Sequence, residues 1–466
     1  TMRWFCLLLL IGLVTPAMSA TYYVQTTGSV SNSGSTDQNS ANLSGAAATQ
    51  VTTVVTLDGS PDLTGVITTT GLTQSTIFLN GSTVTNKKIF KISAVDNGLK
   101  TVTVDADPTC AAGACGVWAI GGRVIWTSAN IEAAIISGDV VTINDDIAAS
   151  TTSIITARNS ATNTSGTILV QGASCVTRPI LSTSGSGNVT IAHNSQTGWT
   201  IKCLEIRQTH VSNGDAVTTN AGWLLDNIKI TDAGTIGVNT NGATRIINSE
   251  ITGVGSIGIN SAHNGLYIAG TYIHGTASDG ILFSGAGPFV TIVRSLITGS
   301  GTRGIRFSGT STSQAHNTNI DQVTIYGSGD SGLEVVDADT VINLTNSIFM
   351  DNGNAANEYN VEWAAGTVEL FGYHTNNVFF HSNCQGSGTG GPACVSGLTL
   401  NATESSTNPA FTNAGSGDFS ISSTSPAKAT GFPGIFVGSS TTGYLDIGAA
   451  QRQEAGSVQH FIGGGF

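Results

Sequence analysis

The sequence predicts an all-β solenoid, a stack of coils built from short strands. Three observations predict it. A drifting repeat of about two dozen residues runs from Cys203 to Trp363. Its first half sets a branched residue in a short strand, at Ile206, Ile230, Ile251, Ile273, Ile297, Ile325 and Ile348. Its second half pairs a small residue with a branched one: Gly237-Val238, Gly258-Ile259, Gly280-Ile281, Gly304-Ile305 and Gly332-Leu333, with Asn360-Val361 last. Successive units lie 21 to 28 residues apart, separated by Gly, Asn, Ser and Asp turns. Self-similar strand units at this period stack, so each sequence column becomes a row of side chains up one face.

Alternation assigns those faces. Ile228 and Ile230 point inward, with Lys229 and Thr231 outward. The equivalent outward pairs are Glu205/Arg207, Glu250/Thr252, Tyr272/His274, Leu296/Thr298, Thr324/Tyr326 and Ser347/Phe349. In the second strand Phe283, Phe307, Val335 and Trp363 form an inward row, which is expected to be a core stack.

Composition fits. Of 466 residues, 59 are Gly and only 10% are charged, against about 25% in ordinary globular chains. The surface must therefore be Ser, Thr, Asn and Gly, and a hydrophobic content of 39% excludes wholesale disorder. A net charge of −12 argues against nucleic acid or an anionic membrane as partner.

Met2 to Ala20 reads as a secretory signal peptide: one positive charge, an apolar core from Leu7 to Val14, and small residues at Ala17, Ser19 and Ala20. The apolar run is too short to span a bilayer, so no membrane span is expected and the chain is placed outside the cell. Six cysteines follow, an even number that suits disulfides in an exported chain. Cys110 with Cys115 and Cys384 with Cys394 close local loops. Cys175 and Cys203 stand 28 residues apart, about one coil, and can link successive coils.

After the leader (1–20), residues 21–127 form a Thr/Ser/Gly-rich β region without a period, expected to cap the solenoid. Coils occupy 128–396, a closing segment 397–452, and a flexible tail 453–466. At the entry, Ser128 or Asn130 can N-cap a short helix with an Ile131, Ala134 and Ile135 stripe; Gly138 stops it, and Val140 to Ile143 is a strand. Such a helix would plug the open end of the stack.

The entry from Ile131 to Ile143 and the closing set Asn408-Pro409-Ala410-Phe411, Gly417-Asp418-Phe419, Ser425-Pro426-Ala427 and Asp446-Ile447-Gly448-Ala449 carry a resemblance. Over roughly 128–452 the chain resembles exported right-handed single-stranded parallel β-helix proteins of the pectate-lyase-like superfold. That resemblance implies a parallel β-helix and polysaccharide or glycan as partner. The superfold also hosts adhesins and phage tailspikes, so it does not fix an activity. The Asn-Thr-Asp, Asp-Asp, Gly-His-Gly and Arg-Ile-Lys series of polygalacturonase-like members is absent. Asn144-Asp145-Asp146 lies near the entry, outside the main coils. The Lys or Arg base expected beside a lyase's Ca²⁺ cluster has little to draw on, since Lys202 and Lys229 are the lysines of the clear coils.

Candidate chemistry therefore comes from the columns. The outward column of the second strand reads Asn239, Asn260, Leu282, Arg306, Glu334 and Glu362. Coils stack ~4.8 Å apart, which makes Glu334 and Glu362 neighbours with Arg306 beside Glu334. Two close carboxylates push one pKa up, and an Arg holds the other ionised, as an acid/base or acid/nucleophile pair of a glycoside hydrolase or lyase requires. The same row also reads as a surface ion-pair ladder. Arg303, Tyr359 and Asp279 precede the small residue of the half-motif and border this face. Tyr272, His274, Tyr326 and Phe349 form an outward aromatic patch suited to sugar rings. Asp330, Asp337 and Asp339 cluster near turns and could hold Ca²⁺, although Asp at such positions commonly makes an Asx turn. No zinc spacing is present. The competing reading is a non-catalytic adhesin, fibre or matrix protein, including a phage tail-associated one; scarce charge favours it, and the leader counts against the phage variant.

Overall fold

The structure, a computed structural model, describes residues 20–24, 33, 35–36, 42–69, 74–84, 87–121, 134–149, 153–161, 167–210, 213–263, 265–285, 289–308, 316–336, 340–353, 355, 358–363, 371–384, 393–428, 430–431 and 446–450. Among the described residues, three parallel sheets of eleven, ten and ten strands wrap around one core. Each coil passes through them in order. Trp223–Asp226 lies in sheet 1, Lys229–Ala233 in sheet 2 and Ile236–Thr240 in sheet 3, and Thr244–Ile247 returns to sheet 1 one coil on. The chain folds as a parallel β-helix.

The first repeat column is the core ladder of sheet 2. Ile206, Ile230, Ile251, Ile273, Ile297 and Ile325 lie in register from coil to coil, and each is fully buried. Burying one such side chain contributes roughly 1.5–3 kcal/mol. The ladder then continues through Phe349 and Phe379, not Ile348. The expected outward position of Phe349 is therefore wrong: it is fully buried and stacks on Phe379 at 5.4 Å. The reason is that this strand is apolar on both faces. Ile348 points away from the solenoid core into a second cluster with Val378, Ile421, Ala427 and Ile447 of the closing segment.

The glycine column has a steric cause. A Cβ on Gly237, Gly258, Gly280, Gly304 or Gly332 would stand 2.5–2.6 Å from the carbonyl oxygen of the next residue in the column. Only a residue without a side chain lets successive coils approach this closely. Between sheets 1 and 2, a single residue turns the corner in the left-handed region: Asn227, Asn248, Gly270, Arg294, Gln322, Asn346 and Asn376, with φ from 47 to 56°. Their N–H groups donate to the next coil, as Asn227 does to Ile247 and Asn248 to Ala269, so the ladder runs unbroken through the turn. Asn tolerates this conformation better than other non-Gly residues.

At the N-terminal end, Thr21–Val24 pairs with Val140–Ile143 and extends sheet 1. Residues 43–120 form a closed six-stranded antiparallel barrel. Its Phe78, Ile89 and Ala119 join the solenoid core. The two parts are tied by a buried ion pair: Lys91 Nζ lies 2.5 Å from Asp139 Oδ1, with the side chains 1% and 0% exposed. Asp139 also accepts from the Ala20 and Ile136 amides at 2.6 and 2.9 Å. Part of the expected entry helix, with Ile131, lies outside the described residues, as do the leader up to residue 19 and the tail; Ala134 and Ile135 are core residues. All three expected disulfides are present, Cys110–Cys115, Cys175–Cys203 and Cys384–Cys394.

Two predictions test these constraints. Gly280→Ala should cost roughly 1–3 kcal/mol, the range for overpacking, measured by thermal or denaturant unfolding. Burial raises the Asp139 carboxyl to about 6 despite Lys91, and lowers the Lys91 ammonium. An acid whose folded pKa exceeds its unfolded value of ~3.9 stabilises most when protonated; that stability fades as pH climbs through about 6. Lys91→Met removes the counter-ion, extending the fade to higher pH. Its stability deficit against the parent should approach ~3–5 kcal/mol at pH 8 and shrink at pH 5, as read by unfolding at both pH values.

Candidate functional site

The outer face of sheet 3 presents one side chain per strand, because each strand there is short and alternates inward, outward, inward. Register places Thr218, Asn239, Asn260, Leu282, Arg306, Glu334, Glu362 and Ser396 in one row. The inward neighbours Phe283, Phe307, Val335 and Trp363 are core residues, and Phe283 stacks on Phe307 at 4.6 Å. A packed core thus fixes the backbone beneath the row.

The row has two halves. The first is neutral and amide-rich. Asn239 donates to Asp215 at 3.0 Å, Asn260 donates to Asn239 at 3.2 Å, and Ser284 donates to Asn260 at 3.0 Å. Leu282 separates this ladder from a charged half. There Arg303 Nε and Arg306 Nε approach Glu334 Oε2 at 2.8 and 2.7 Å. Neither contact is aligned as a hydrogen bond, so both are charge contacts. Arg303 also donates to Glu334 Oε1 at 3.3 Å and pairs with Asp330 at 2.6 Å. Ser331 donates its hydroxyl proton to Glu362 Oε2 at 2.7 Å. Asp279, buried under the turn, accepts from the Thr302 hydroxyl and, at 3.2 Å, from the Arg303 amide, positioning Arg303.

Electrostatics separate the two glutamates. Glu334 is 7% exposed, whereas Glu362 is half-buried. Burial pushes the Glu334 carboxyl above the ordinary range; Arg303 and Arg306 pull it back, and Glu362 and Asp330 push it up again. Burial and like charge prevail. The site therefore offers a carboxyl that holds its proton more tightly than usual beside an accessible carboxylate oriented by a serine.

The other expected residues are dispersed. Tyr359 is 6% exposed, with little surface to present to a ligand. Tyr272 and His274 stack at 4.1 Å on the outer face of sheet 2, and His274 lies 3.2 Å from Glu250. Glu250 also pairs with Lys229 at 3.0 Å, and its carboxyl is lowered to about 2, chiefly by the His274 contact. Tyr326 lies on the same sheet but under the closing segment, edge-on to Phe411 and Phe419 at 6.5 and 5.3 Å. With Phe349 in the core, the structure does not assemble an open four-residue aromatic patch. Among the described residues no three His, Cys, Asp or Glu groups converge to hold a metal, and Asp337 and Asp339 lie outside them. Ser331 was missed by the sequence reading. It precedes Gly332 as Asp279, Arg303 and Tyr359 precede the small residue of their own coils, but a serine in so Ser-rich a chain carries no signal by type.

Against known proteins, no family model and no curated protein matches the chain. Solved structures do. One is the pectate lyase Pel9A, at 15% identity and a TM-score of 0.47, covering 71% of this chain and 92% of that one. A second is the catalytic unit of a GH87 α-1,3-glucanase from Streptomyces thermodiastaticus strain HF3-3, at 14% identity and 0.30, covering 77% and 88%. A third is the tailspike protein gp49 from Pseudomonas phage LKA1, at 12% and 0.19, covering 72% and 70%. The likeness is one of strand topology, and the chemistry of the site has to be read from this chain's own side chains.

Because the folded state favours the protonated Glu334 carboxyl, the stability this group contributes is lost as pH rises through its folded pKa. Glu334→Gln, which stays neutral, should therefore match or exceed the parent's stability at pH 8 and lose that advantage at acidic pH. Unfolding at both pH values checks this.

Proposed function

We propose that the protein is an extracellular β-helix that binds a polysaccharide along the outer face of sheet 3 and hydrolyses it at the Glu334–Glu362 step. The observation that carries this reading is the pairing of a proton-retaining carboxyl with an accessible, serine-oriented carboxylate on adjacent strands, flanked by Arg303 and Arg306. A sugar chain laid across the strands meets a new side chain at every coil, first the amide ladder and then the charged half. Glu334 delivers a proton to the departing glycosidic oxygen. Glu362 takes one from attacking water or attacks the sugar carbon itself. Arg306 neutralises charge left on Glu334 once the proton has gone. Three disulfides support placement in an oxidising, extracellular compartment.

A non-catalytic surface or fibre protein is the second reading. The 7% exposure of Glu334 favours it, since a clamped side chain can serve as a ladder rung alone.

Depolymerisation by the purified chain across neutral and acidic polysaccharides decides between them, with reducing ends and the ultraviolet absorbance of unsaturated products both followed. The expected result is new reducing ends without absorbance, and a fall of ~100-fold or more in Glu362→Gln. Absorbing products would replace hydrolysis by elimination. Full activity in Glu362→Gln would sink the site, and glycan binding without any cleavage would select the adhesin reading.

A further inference from the structure

The outer face of sheet 2 holds a hydroxyl, an imidazole and a carboxylate in hydrogen-bonded order, apart from the sheet 3 row. Glu250 and Thr252 stand two residues apart on one strand, so alternation turns both outward over the buried Ile251. The next strand sets His274 in register with Thr252. From there the imidazole reaches both side chains. Its Nε2 lies 3.2 Å from Glu250 Oε1, and its Nδ1 lies 3.2 Å from Thr252 Oγ1.

Charge settles the direction of these bonds. Glu250 is an ionised carboxylate: Lys229 pairs with it at 3.0 Å, and its carboxyl is lowered to about 2, chiefly by the His274 contact. An ionised carboxylate can only accept. A neutral His274 therefore carries its proton on Nε2 and keeps the Nδ1 lone pair for the Thr252 hydroxyl, which donates. Tyr272 stacks on the imidazole at 4.1 Å and holds its plane. The Glu250 and His274 side chains are each 28% exposed, so the trio is fixed in place and still meets solvent. Gly275 adjoins the hydroxyl and presents no side chain; a Cβ there would stand 3.5 Å from Thr252 Oγ1. That flank of the hydroxyl is open to an incoming molecule.

A nucleophile, a base within hydrogen-bond reach and a third group orienting the base form the arrangement that acyl transfer uses. We propose that Thr252, His274 and Glu250 hydrolyse short-chain carboxylic esters. Thr252 Oγ bonds to the acyl carbon as its proton passes to His274 Nδ1. The bond from that carbon to the alcohol oxygen breaks, and the oxygen takes the proton from Nδ1. Water then attacks the acyl-threonine and gives a proton to Nδ1. The carboxylic acid leaves, and Thr252 Oγ recovers a proton from Nδ1. Glu250 accepts from Nε2 throughout and balances the imidazolium charge, which is a positioning role. The space of one absent side chain suits an acetyl group rather than a long acyl chain. No step draws on Glu334 or Glu362.

Hydrolysis of p-nitrophenyl acetate by the purified full chain tests this, with p-nitrophenyl decanoate as the long-chain comparison and the mass of the chain followed during turnover. The acetate ester should be cleaved roughly tenfold faster or more, with one transient acetyl group mapped to Thr252. Thr252→Val and His274→Gln should each lower kcat ~100-fold or more, and Thr252→Ser should restore most of it. Glu250→Gln should lower kcat roughly tenfold or more with KM unchanged, the mark of a group that acts through the base. Undiminished turnover in Thr252→Val with a parental melting profile would overturn the inference. So would an acetyl group mapped to Lys229 or elsewhere in place of Thr252, or turnover no faster than in buffer. Where a variant unfolds, the mapped acetyl site decides.

Discussion

Parallel hydrogen bonding from each coil to the next is the constraint on which the rest of this molecule depends. Once the ladder is continuous, the freedom left to each coil is the choice of side chain at fixed positions. Keeping it continuous makes two steric demands. The chain must turn between sheets 1 and 2 through one left-handed residue, and adjacent coils must come close enough at the start of sheet 3 that a Cβ would strike a carbonyl oxygen. The Asn and Gly columns answer these demands. The Ile column supplies the burial that holds the stack against chain entropy.

This architecture explains which parts of the molecule were legible in the sequence. Register within the regular coils is periodic, so the order Arg306, Glu334, Glu362 follows from spacing alone and recurs in the strand pairing. The disulfides were legible for the same reason, because the separation of Cys175 and Cys203 matches one coil. Legibility fails where a second layer covers the solenoid. Alternation distinguishes an inward from an outward residue only when one side meets water. At Ile348-Phe349 both sides meet protein, so the pattern slipped by one residue. Nor does alternation show that Tyr326 meets Phe411 and Phe419, which come from far along the chain. The Lys91–Asp139 pair was equally hidden. It joins an aperiodic barrel to the first coil, and no spacing rule links the two positions.

Cover also distributes function among the sheets. The closing segment seals much of the far end of sheet 2, where Leu296 and Thr298 are 8% and 7% exposed and Thr324 is 1% exposed. Ala449 donates its amide to Thr324 there, at 3.0 Å. Sheet 3 retains a row that reaches solvent, and its charged half gathers Arg303, Arg306, Glu334 and Glu362. On sheet 2 the ion pairs that reach solvent, Glu205 with Arg207 and Glu250 with Lys229, lie in the earlier coils, away from the closing segment.

The same rigidity bears on the chemistry at Glu334. In a flexible surface patch, two guanidinium groups and three carboxylates would rearrange until each charge found water or a partner. Here Asp330, Glu334 and Glu362 belong to consecutive coils whose backbones cannot separate, and Asp279 holds the Arg303 backbone from the coil before. Glu334 stays under its neighbours and away from solvent, and its proton affinity rises even with two cations within 2.8 Å. A carboxyl in that position binds a proton because the scaffold denies it the hydration that would ionise it. The pKa of the candidate acid is thus set by coil stacking: any change that loosened the ladder beneath Phe307, Val335 and Trp363 would return Glu334 to water and to an ordinary carboxylate.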